Sequence, residues 1–233
     1  YGKQWYQRRV RGELMGCGAN SVQVHTSMGK PFRAIMIGPP GSGKGTQCDI
    51  LSKKTKYHHI STGDLIRAEI KNNTEIGKQI KDITEKGQLT PDNIICDLLF
   101  AHLSKISENE SYLLDGFPRT EFQAKYLKDK VKITHVIELA GDEAEITKRL
   151  SGRLFDPDTG NTYHVTNNPP PEDIKSRCIT RKDDQPSVIK ERFEIFNDTI
   201  KLIEHVFKNI IRINTTGRKI DEIAVEVEAA LLK

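Results

Sequence analysis

The chain has 233 residues, of which 36% are hydrophobic, and a formal net charge of +4 at pH 7. A chain of this length can bury one substantial core, so we expect a single domain with a small insertion. Residues 1–14 carry +3 of the charge, which leaves only +1 for residues 15–233. We therefore predict no nucleic-acid partner. No apolar stretch approaches the ~18 residues of a membrane span, so we predict no transmembrane segment.

The first thirty residues lack strand or helix periodicity, and the chain opens at Tyr1. We interpret 1–30 as a tag, a processed leader or a flexible extension that precedes the folded domain. A start at Met15 would make Gly16 a candidate for myristoylation and Cys17 for palmitoylation, although Asn20 departs from that motif. An arginine-rich, acid-poor leader would also suit mitochondrial import.

Cysteine usage favours a reducing compartment. The four cysteines are widely spaced and form no C-x-x-C pair: Cys17, Cys48, Cys96 and Cys178. We expect free thiols and a cytoplasmic protein, with mitochondrial import or membrane attachment by N-terminal acylation as alternatives.

From residue 33 onward, apolar strand-like runs alternate with amphipathic stretches. The pattern predicts strands at 33–38, 57–60, 111–115, 133–139 and 209–213. It predicts helices at 44–54, 62–71, 75–86, 92–105, 120–128, 142–150, 185–207 and 219–232. This alternation indicates an α/β fold in which helices cover a parallel sheet, with the ligand at the carboxyl ends of the strands.

The first chemical motif follows the first strand. Gly38 to Thr46 reads Gly-Pro-Pro-Gly-Ser-Gly-Lys-Gly-Thr and precedes a predicted helix, as in a loop that cradles phosphates with backbone N–H groups. Lys44 would reach the outer phosphates. Gly45 stands where the magnesium-binding hydroxyl of G-x-x-x-x-G-K-[ST] is normally found.

Two further motifs follow later strands. Ile60 to Arg67 reads Ile-Ser-Thr-Gly-Asp-Leu-Ile-Arg, where Ser61 and Asp64 fit a capping box and Arg67 could bind phosphate bidentately. Tyr112 to Thr120 ends a strand in Asp115, which could hold magnesium through water, and turns so as to aim Arg119 into the same crevice.

Together these motifs resemble those of the adenylate kinase family of nucleoside monophosphate kinases, over about residues 33–233. The resemblance implies a three-layer P-loop fold: a central five-stranded parallel sheet with helices on both faces, an AMP-binding segment at about 61–90 and a lid at about 153–184, all within one domain, 31–233. It implies reversible, Mg²⁺-dependent phosphoryl transfer from ATP to AMP, giving two ADP, by a monomer.

The resemblance also implies site residues. Catalytic roles fall to Lys44, Arg119, Arg153, Arg181 and Arg192. The donor nucleotide would contact Gly41, Ser42, Gly43, Lys44, Gly45, Thr46, Arg149, Arg153, Thr162, Tyr163 and Arg218. AMP would contact Thr62, Arg67, Gln88, Leu89, Thr90, Gly116, Phe117, Pro118, Arg119, Gln123, Arg181 and Arg192. Asp115 would hold Mg²⁺ through water, with no direct protein ligand.

The lid departs from the family pattern. Between Pro170 and Arg181 it has about five residues fewer than typical long-lid members, and Cys178 is its only cysteine. We therefore expect no zinc, and a lid held by packing and hydrogen bonds. The short lid leaves a GTP:AMP phosphotransferase open as the main alternative. A UMP/CMP kinase is disfavoured by Thr62 and Gln123, and a nucleotide-sensing regulator by the absence of a guanine-reading Asn-Lys-x-Asp motif.

Overall fold

The computed structural model describes residues 31–54 and 57–232. Its main sheet has five parallel strands in the order β2-β3-β1-β4-β7. The strands are β1 (Arg33–Ile37), β2 (His58–Ser61), β3 (Tyr112–Asp115), β4 (His135–Ala140) and β7 (Ile210–Asn214). The prediction of five parallel strands is confirmed, and each predicted strand overlaps an observed one.

Nine helices accompany these strands in the described part of the chain. They are α1 (Lys44–Lys54), α2 (Thr62–Lys71), α3 (Glu75–Glu85), α4 (Asp92–Leu103), α5 (Glu121–Lys130), α6 (Glu143–Ser151), α7 (Glu172–Lys175), α8 (Pro186–Val206) and α9 (Ile220–Leu231). All eight predicted helices are confirmed. The four-residue α7 was not predicted, because so short a helix carries no readable periodicity.

The helices form two layers because the sheet is apolar on both faces. On one face, Leu51 of α1 and Val227 of α9 pack in a cluster with Met36 of β1. On the other, Leu99 of α4, Leu127 of α5 and Ile203 of α8 pack with residues such as Leu114 of β3. Strands buried on both sides read as continuous apolar runs, which is why the sequence revealed them. The three-layer fold is confirmed.

The insertion at about 153–184 contains structure that the sequence did not reveal. Strands β5 (Arg153–Phe155) and β6 (Thr162–His164) form a small antiparallel sheet of their own. A 3₁₀ turn at Lys182–Asp184 then leads into α8. These strands have three residues each, too few for an alternation of polar and apolar residues to stand out.

Several expectations concern residues outside this description. The N-terminal extension 1–30, with its candidate acylation sites Gly16 and Cys17, is not among the described residues. Within them, Cys48, Cys96 and Cys178 are free thiols. No helix in 31–54 or 57–232 is both long enough and apolar enough to cross a membrane.

Candidate active site

The phosphate loop lies between β1 and α1, at the carboxyl edge of the sheet. Gly38 has a φ of +149°, and a Cβ at this position would lie 2.5 Å from the carbonyl oxygen of Leu139 on the neighbouring strand. A larger residue would clash there. The loop closes through a hydrogen bond from Ser42 N to Pro39 O at 3.2 Å, and α1 begins at Lys44. Its positive dipole end therefore faces the space beyond the loop.

Lys44 is held by the loop itself. Its Nζ donates to the carbonyl oxygens of Gly38 at 2.9 Å and Pro39 at 2.8 Å. Burial lowers the pKa of Lys44, Asp115 opposes this effect, and the positive charges of Arg119 and Arg192 add to it, so that the pKa falls from 10.5 to about 8. The loop therefore holds a cation that an anion would stabilise.

Asp115 ends β3 on the neighbouring strand and is 9% exposed. Burial alone would raise the pKa of its carboxyl group, but contact with His59 and the charge of Lys44 outweigh burial and lower it. Asp115 is therefore ionised at neutral pH. A Cβ on Gly45 would lie 3.4 Å from Oδ2 of Asp115, so the missing side chain leaves the carboxylate close to the loop. A single charged oxygen donor beside a phosphate loop suits a hydrated Mg²⁺ ion.

The turn after β3 presents Arg119. Gly116 has a φ of +75°, and a Cβ there would lie 2.6 Å from the Arg119 guanidinium. Arg119 Nε donates to the carbonyl of Gly116 at 2.6 Å. Thr62 closes the same turn by donating to the carbonyls of Asp115 at 3.2 Å and Gly116 at 2.9 Å. Burial lowers the pKa of Arg119, which therefore gains from an anionic partner.

Gln123 has both ends of its amide engaged. Its Oε1 accepts from Arg119 N at 2.7 Å, and its Nε2 donates to Asp92 Oδ1 at 2.7 Å. An adenine edge would have to exchange with one of these bonds. The adenine contact of Gln123 stays a prediction, and Asp92 is a partner that the sequence did not reveal.

Arginines of the AMP-binding segment and of the lid meet around Phe155. Arg181 lies over the Phe155 ring at 4.6 Å from its centroid, and Arg67 at 5.8 Å. Burial, together with the charges of Arg67 and Arg153, lowers the pKa of Arg181 to about 9, so it remains charged at neutral pH. The buried Nε atoms of Arg67 and Arg181 have no hydrogen-bond partner among the described residues.

Arg153 of the predicted lid and Arg192 of α8 are paired with aspartates at the base of the lid. Arg153 forms a two-point contact with Asp184, including Nε to Oδ2 at 2.7 Å. Arg192 Nη1 lies 2.7 Å from Asp183 Oδ2 and 3.5 Å from Asp184 Oδ1. Burial lowers the pKa of Arg192 to about 10. Asp183 and Asp184 thus orient both guanidinium groups, a role that we had not predicted for them.

A cleft joins several of these groups. The predicted residues on its wall are Lys44, Leu89, Gly116, Pro118, Arg119 and Arg192. Helix α8 adds Ile195, Phe196 and Thr199, which we had not predicted. Their positions three, four and seven residues after Arg192 were a usable signal, because such residues share one face of a helix.

Other predicted residues do not line this cleft. Phe117 and Thr90 are buried and adjoin lining residues in the sequence, whereas Gln88 and Thr46 are exposed. Three of the residues predicted to contact the donor nucleotide have protein partners. Arg149 Nη2 donates to Thr215 O at 2.8 Å. Arg218 Nη1 contacts Glu226 at 2.5 Å and Asn214 O at 3.0 Å, while Thr162 accepts from Arg181 at 2.7 Å. Tyr163 lies beside Thr162 in the lid hairpin.

Sequence reasoning also missed His59. Its Nε2 lies 3.5 Å from Oδ2 of Asp115, while its Nδ1 lies 2.9 Å from Asp49. Burial lowers the pKa of His59, but its contacts with Asp115 and Asp49 outweigh burial and raise it. The imidazole thus supports the ionised form of Asp115. A polar residue directly before the buried Ile60 was the available signal, but it also fits an ordinary alternating strand.

The assembled site is rich in partly buried cations. Lys44, Arg119, Arg153, Arg181 and Arg192 all carry positive charge and repel one another, and Asp115, Asp183 and Asp184 offset only part of this charge. Such an excess stabilises ligands with several negative charges and the charge that develops on a transferred phosphoryl group.

Comparisons with known proteins agree with this geometry. The family model described as adenylate kinase matches residues 36–211. A curated adenylate kinase of Giardia intestinalis is 43% identical over 203 residues, covering 86% of this chain and 82% of the relative. Those of Chloroherpeton thalassium and Methanocella arvoryzae are 38% and 37% identical, covering 86% and 85% of this chain and 98% of each relative. This chain therefore belongs to the adenylate kinase family of nucleoside monophosphate kinases.

Proposed function

We propose that this protein transfers the γ-phosphoryl group of Mg²⁺-bound ATP reversibly to AMP, giving two molecules of ADP. The observation that carries the proposal is the convergence of the partly buried cations Lys44, Arg119 and Arg192 on one cleft at the carboxyl edge of the sheet. Two nucleotides bring several negative charges together, and positioning with electrostatic compensation supplies most of the catalysis in phosphoryl transfer.

The phosphate loop would bind the donor. Backbone N–H groups of Gly41 to Thr46 and the N-terminus of α1 would cradle its phosphates, and Lys44 would exchange its loop carbonyls for a phosphate oxygen. We assign the donor base to the neighbourhood of Arg149, Thr215 and Arg218, with Thr162 and Tyr163 contributed by the lid.

The turn after β3 and the AMP-binding segment would bind the acceptor. Arg67 and Arg119 would hold the AMP phosphate, with Thr62, Gln88, Leu89, Thr90 and Gln123 around the nucleoside and Gly116, Phe117 and Pro118 shaping the turn. Arginine suits this role because its planar guanidinium binds phosphate at two points and stays charged.

The arginines on the lid side would stabilise the negative charge of the phosphoryl group during its transfer. Arg153, Arg181 and Arg192 enter from the lid and from α8, and lid closure would exclude water that could otherwise hydrolyse the donor. Asp183 and Asp184, the present partners of Arg153 and Arg192, orient these two groups without neutralising the whole set.

Asp115 would hold the magnesium ion through its water ligands, since it is ionised and lies beside the loop where Gly45 offers no hydroxyl. Magnesium held there would neutralise part of the charge of the phosphates. The chain's own residues position the nucleotides, orient the phosphoryl group and keep water out.

We also propose a monomer that acts in the cytoplasm on small-molecule nucleotides. The free thiols Cys48, Cys96 and Cys178 support a reducing compartment. Light scattering of the purified chain tests the monomer. Fractionation of cells, with intact-mass analysis for a lipid on Gly16, tests the location.

A coupled assay with a panel of nucleotides tests the activity. ATP and GTP are compared as donors and AMP, UMP, CMP and GMP as acceptors, each with Mg²⁺ and with EDTA. We expect the highest kcat/KM with ATP and AMP, and loss of turnover in EDTA. A larger kcat/KM with GTP, or with UMP or CMP, would contradict the proposed substrates.

A further inference from the structure

Three potential metal ligands meet behind the phosphate loop. Each residue offers one ligand atom: Sγ of Cys48 on α1, a ring nitrogen of His59 on β2 and a carboxylate oxygen of Asp115 on β3. These three atoms all lie within 4.8 Å of one another. Cys48 is fully buried and has no role in the phosphoryl transfer proposed above. Its hydrogen bond to the thioether of Met36, at 3.7 Å, is weak.

The orientation of His59 is that of a metal ligand. Its Nδ1 lies 2.9 Å from the carboxylate of Asp49, which fixes the ring. Its Nε2 is buried, has no ordinary hydrogen-bond partner in 31–54 or 57–232, and faces Asp115 Oδ2 at 3.5 Å. Histidines that bind metals commonly donate their other ring nitrogen to a carboxylate in this way.

We propose that Cys48, His59 and Asp115 form a binding site for Zn²⁺ that is distinct from the magnesium position and inhibits the enzyme. Thiolate, imidazole and carboxylate are preferred zinc ligands. Tetrahedral zinc, with bonds of about 2.0–2.1 Å to nitrogen and oxygen, separates such atoms by about 3.3 Å. The 3.5 Å between His59 Nε2 and Asp115 Oδ2 therefore needs little adjustment. Binding would release to the solvent the thiol proton of Cys48 and any proton on Nε2 of His59.

The ion would enter from the phosphate side. Side chains of His59 and Asp115 are 15% and 12% exposed, and Gly45 places no side chain between Asp115 and the loop. Our earlier expectation of no zinc considered the lid, where Cys178 is the only thiol. The proposed site lies in the core and uses different residues.

The inhibition rests on the proposed function, whereas the binding does not. Zinc on Oδ2 of Asp115 would occupy the oxygen that we assign to the magnesium waters. An excess of Mg²⁺ would not displace zinc, because magnesium prefers oxygen ligands and has little affinity for thiolate.

Binding is tested first, with Co²⁺ as a spectroscopic substitute for zinc, on the full chain carrying Cys17→Ser. We expect one Co²⁺ per chain, a thiolate-to-cobalt charge-transfer band in the near ultraviolet, and displacement by Zn²⁺. Cys48→Ser should abolish the band, and the matched control Cys178→Ser should retain it. No band in the parent, or an undiminished band in Cys48→Ser, overturns the site.

A second variant tests the site without changing a buried residue, so that misfolding does not obscure the result. Asp49 is exposed and is not a proposed ligand, yet Asp49→Asn should weaken Co²⁺ binding about 10- to 100-fold because it loosens His59. Asp198→Asn, an exposed change on α8, is its control. Equal cobalt affinity in the two variants would count against the site.

Inhibition is then measured with free Zn²⁺ buffered and Mg²⁺ in excess. We expect zinc to inhibit the parent, and Asp49→Asn to need about 10- to 100-fold more free zinc for the same inhibition. Equal zinc sensitivity in both would overturn the inhibitory role. A chain without kinase activity would refute the proposed function, and the cobalt titration would still decide the site.

Discussion

The phosphate loop and the predicted lid both contribute cations to the candidate site but hold them in different ways. Lys44 donates to backbone carbonyls in a loop backed by the two apolar clusters of the sheet. The lid, 153–184, contributes no described residue to a buried apolar cluster, and its hairpin is tied instead by Asp156, fully buried and paired at two points with Arg177. The difference indicates a fixed half that depends on packing and a movable half that depends on ion pairs.

The largest effect is expected in the fixed half. Lys44→Met should lower kcat/KM for AMP phosphorylation about 10²- to 10³-fold, as loss of one preorganised charge contact does. Lys53→Met, an exposed change on the same helix, should have little effect. Steady-state kinetics of both variants measure this. A value for Lys44→Met within threefold of the parent would contradict the assigned role.

The same substitution should stabilise the free protein. Burial lowers the pKa of Lys44 to about 8, so the folded state bears the cost of a buried charge at pH 7. Removal of that charge should raise the free energy of unfolding by roughly 1–3 kcal/mol. Urea titration of Lys44→Met against the parent measures it. A loss of stability would mean that the contacts with Gly38 and Pro39 outweigh the cost of burial.

A pH profile sharpens the contrast, because the pKa of the loop cation Lys44, about 8, is lower than that of Arg181 in the lid, about 9, or of Arg192, about 10. Lys44 must be charged, so kcat/KM should fall above pH ~8, by up to about tenfold per unit, while kcat should fall at higher pH because bound phosphates favour the charged form. Between about pH 8 and 10.5 the unfolded state binds more protons at Lys44, so its contribution to stability rises with pH. A flat kcat/KM up to pH 10 would contradict this.

A moderate, local effect is expected in the movable half. Arg177→Met should leave global unfolding almost unchanged. The backbones of Phe155 and Ile179 are joined by two reciprocal hydrogen bonds of 2.8 Å. The substitution should accelerate amide hydrogen exchange at these two residues several-fold. Lys175→Met, which breaks the exposed pair with Glu172, is the matched control. Hydrogen exchange with mass spectrometry measures both, and equal exchange in the two variants would show that the Asp156 pair does not hold the lid.

The smallest effect concerns a contact between the predicted lid and the predicted AMP-binding segment. Lys182 Nζ lies 2.9 Å from Glu85 Oε2, joining the base of the lid to α3, and is 70% exposed. Exposed pairs contribute about 0.2–1 kcal/mol, so Lys182→Ala should raise the KM for AMP by at most about fivefold. A double-mutant cycle with Glu85→Ala isolates the pair. Coupling well above this range would give the contact a larger role in closure.

The fold could be predicted where burial is continuous. Strands such as Tyr112–Asp115 are buried on both faces and read as apolar runs, and α3 carries its apolar residues on one face. The lid could not be predicted, because Arg153–Phe155 and Thr162–His164 are too short to show a period. Ion pairs such as Asp156 with Arg177 are also invisible in a sequence, since 21 residues separate the partners.

The site divides in the same way. The loop at Gly38 to Thr46, Asp115 and Arg119 could be predicted because each follows a strand that ends at the same edge of the sheet. The carboxylates that hold other site residues could not be predicted, because Asp184 meets Arg153 and Asp92 meets Gln123 only through tertiary contacts. Ile195 and Phe196 were missed because an apolar face of a helix more often belongs to the core than to a ligand cleft.

The stoichiometry of the reaction tests the central claim most directly. Purified protein is incubated with Mg²⁺, ATP and AMP, and all nucleotides and free phosphate are followed by ³¹P NMR. We predict that one ATP and one AMP disappear for every two ADP formed, and that the reverse reaction starts from ADP alone. Release of inorganic phosphate from ATP without consumption of AMP would contradict the account.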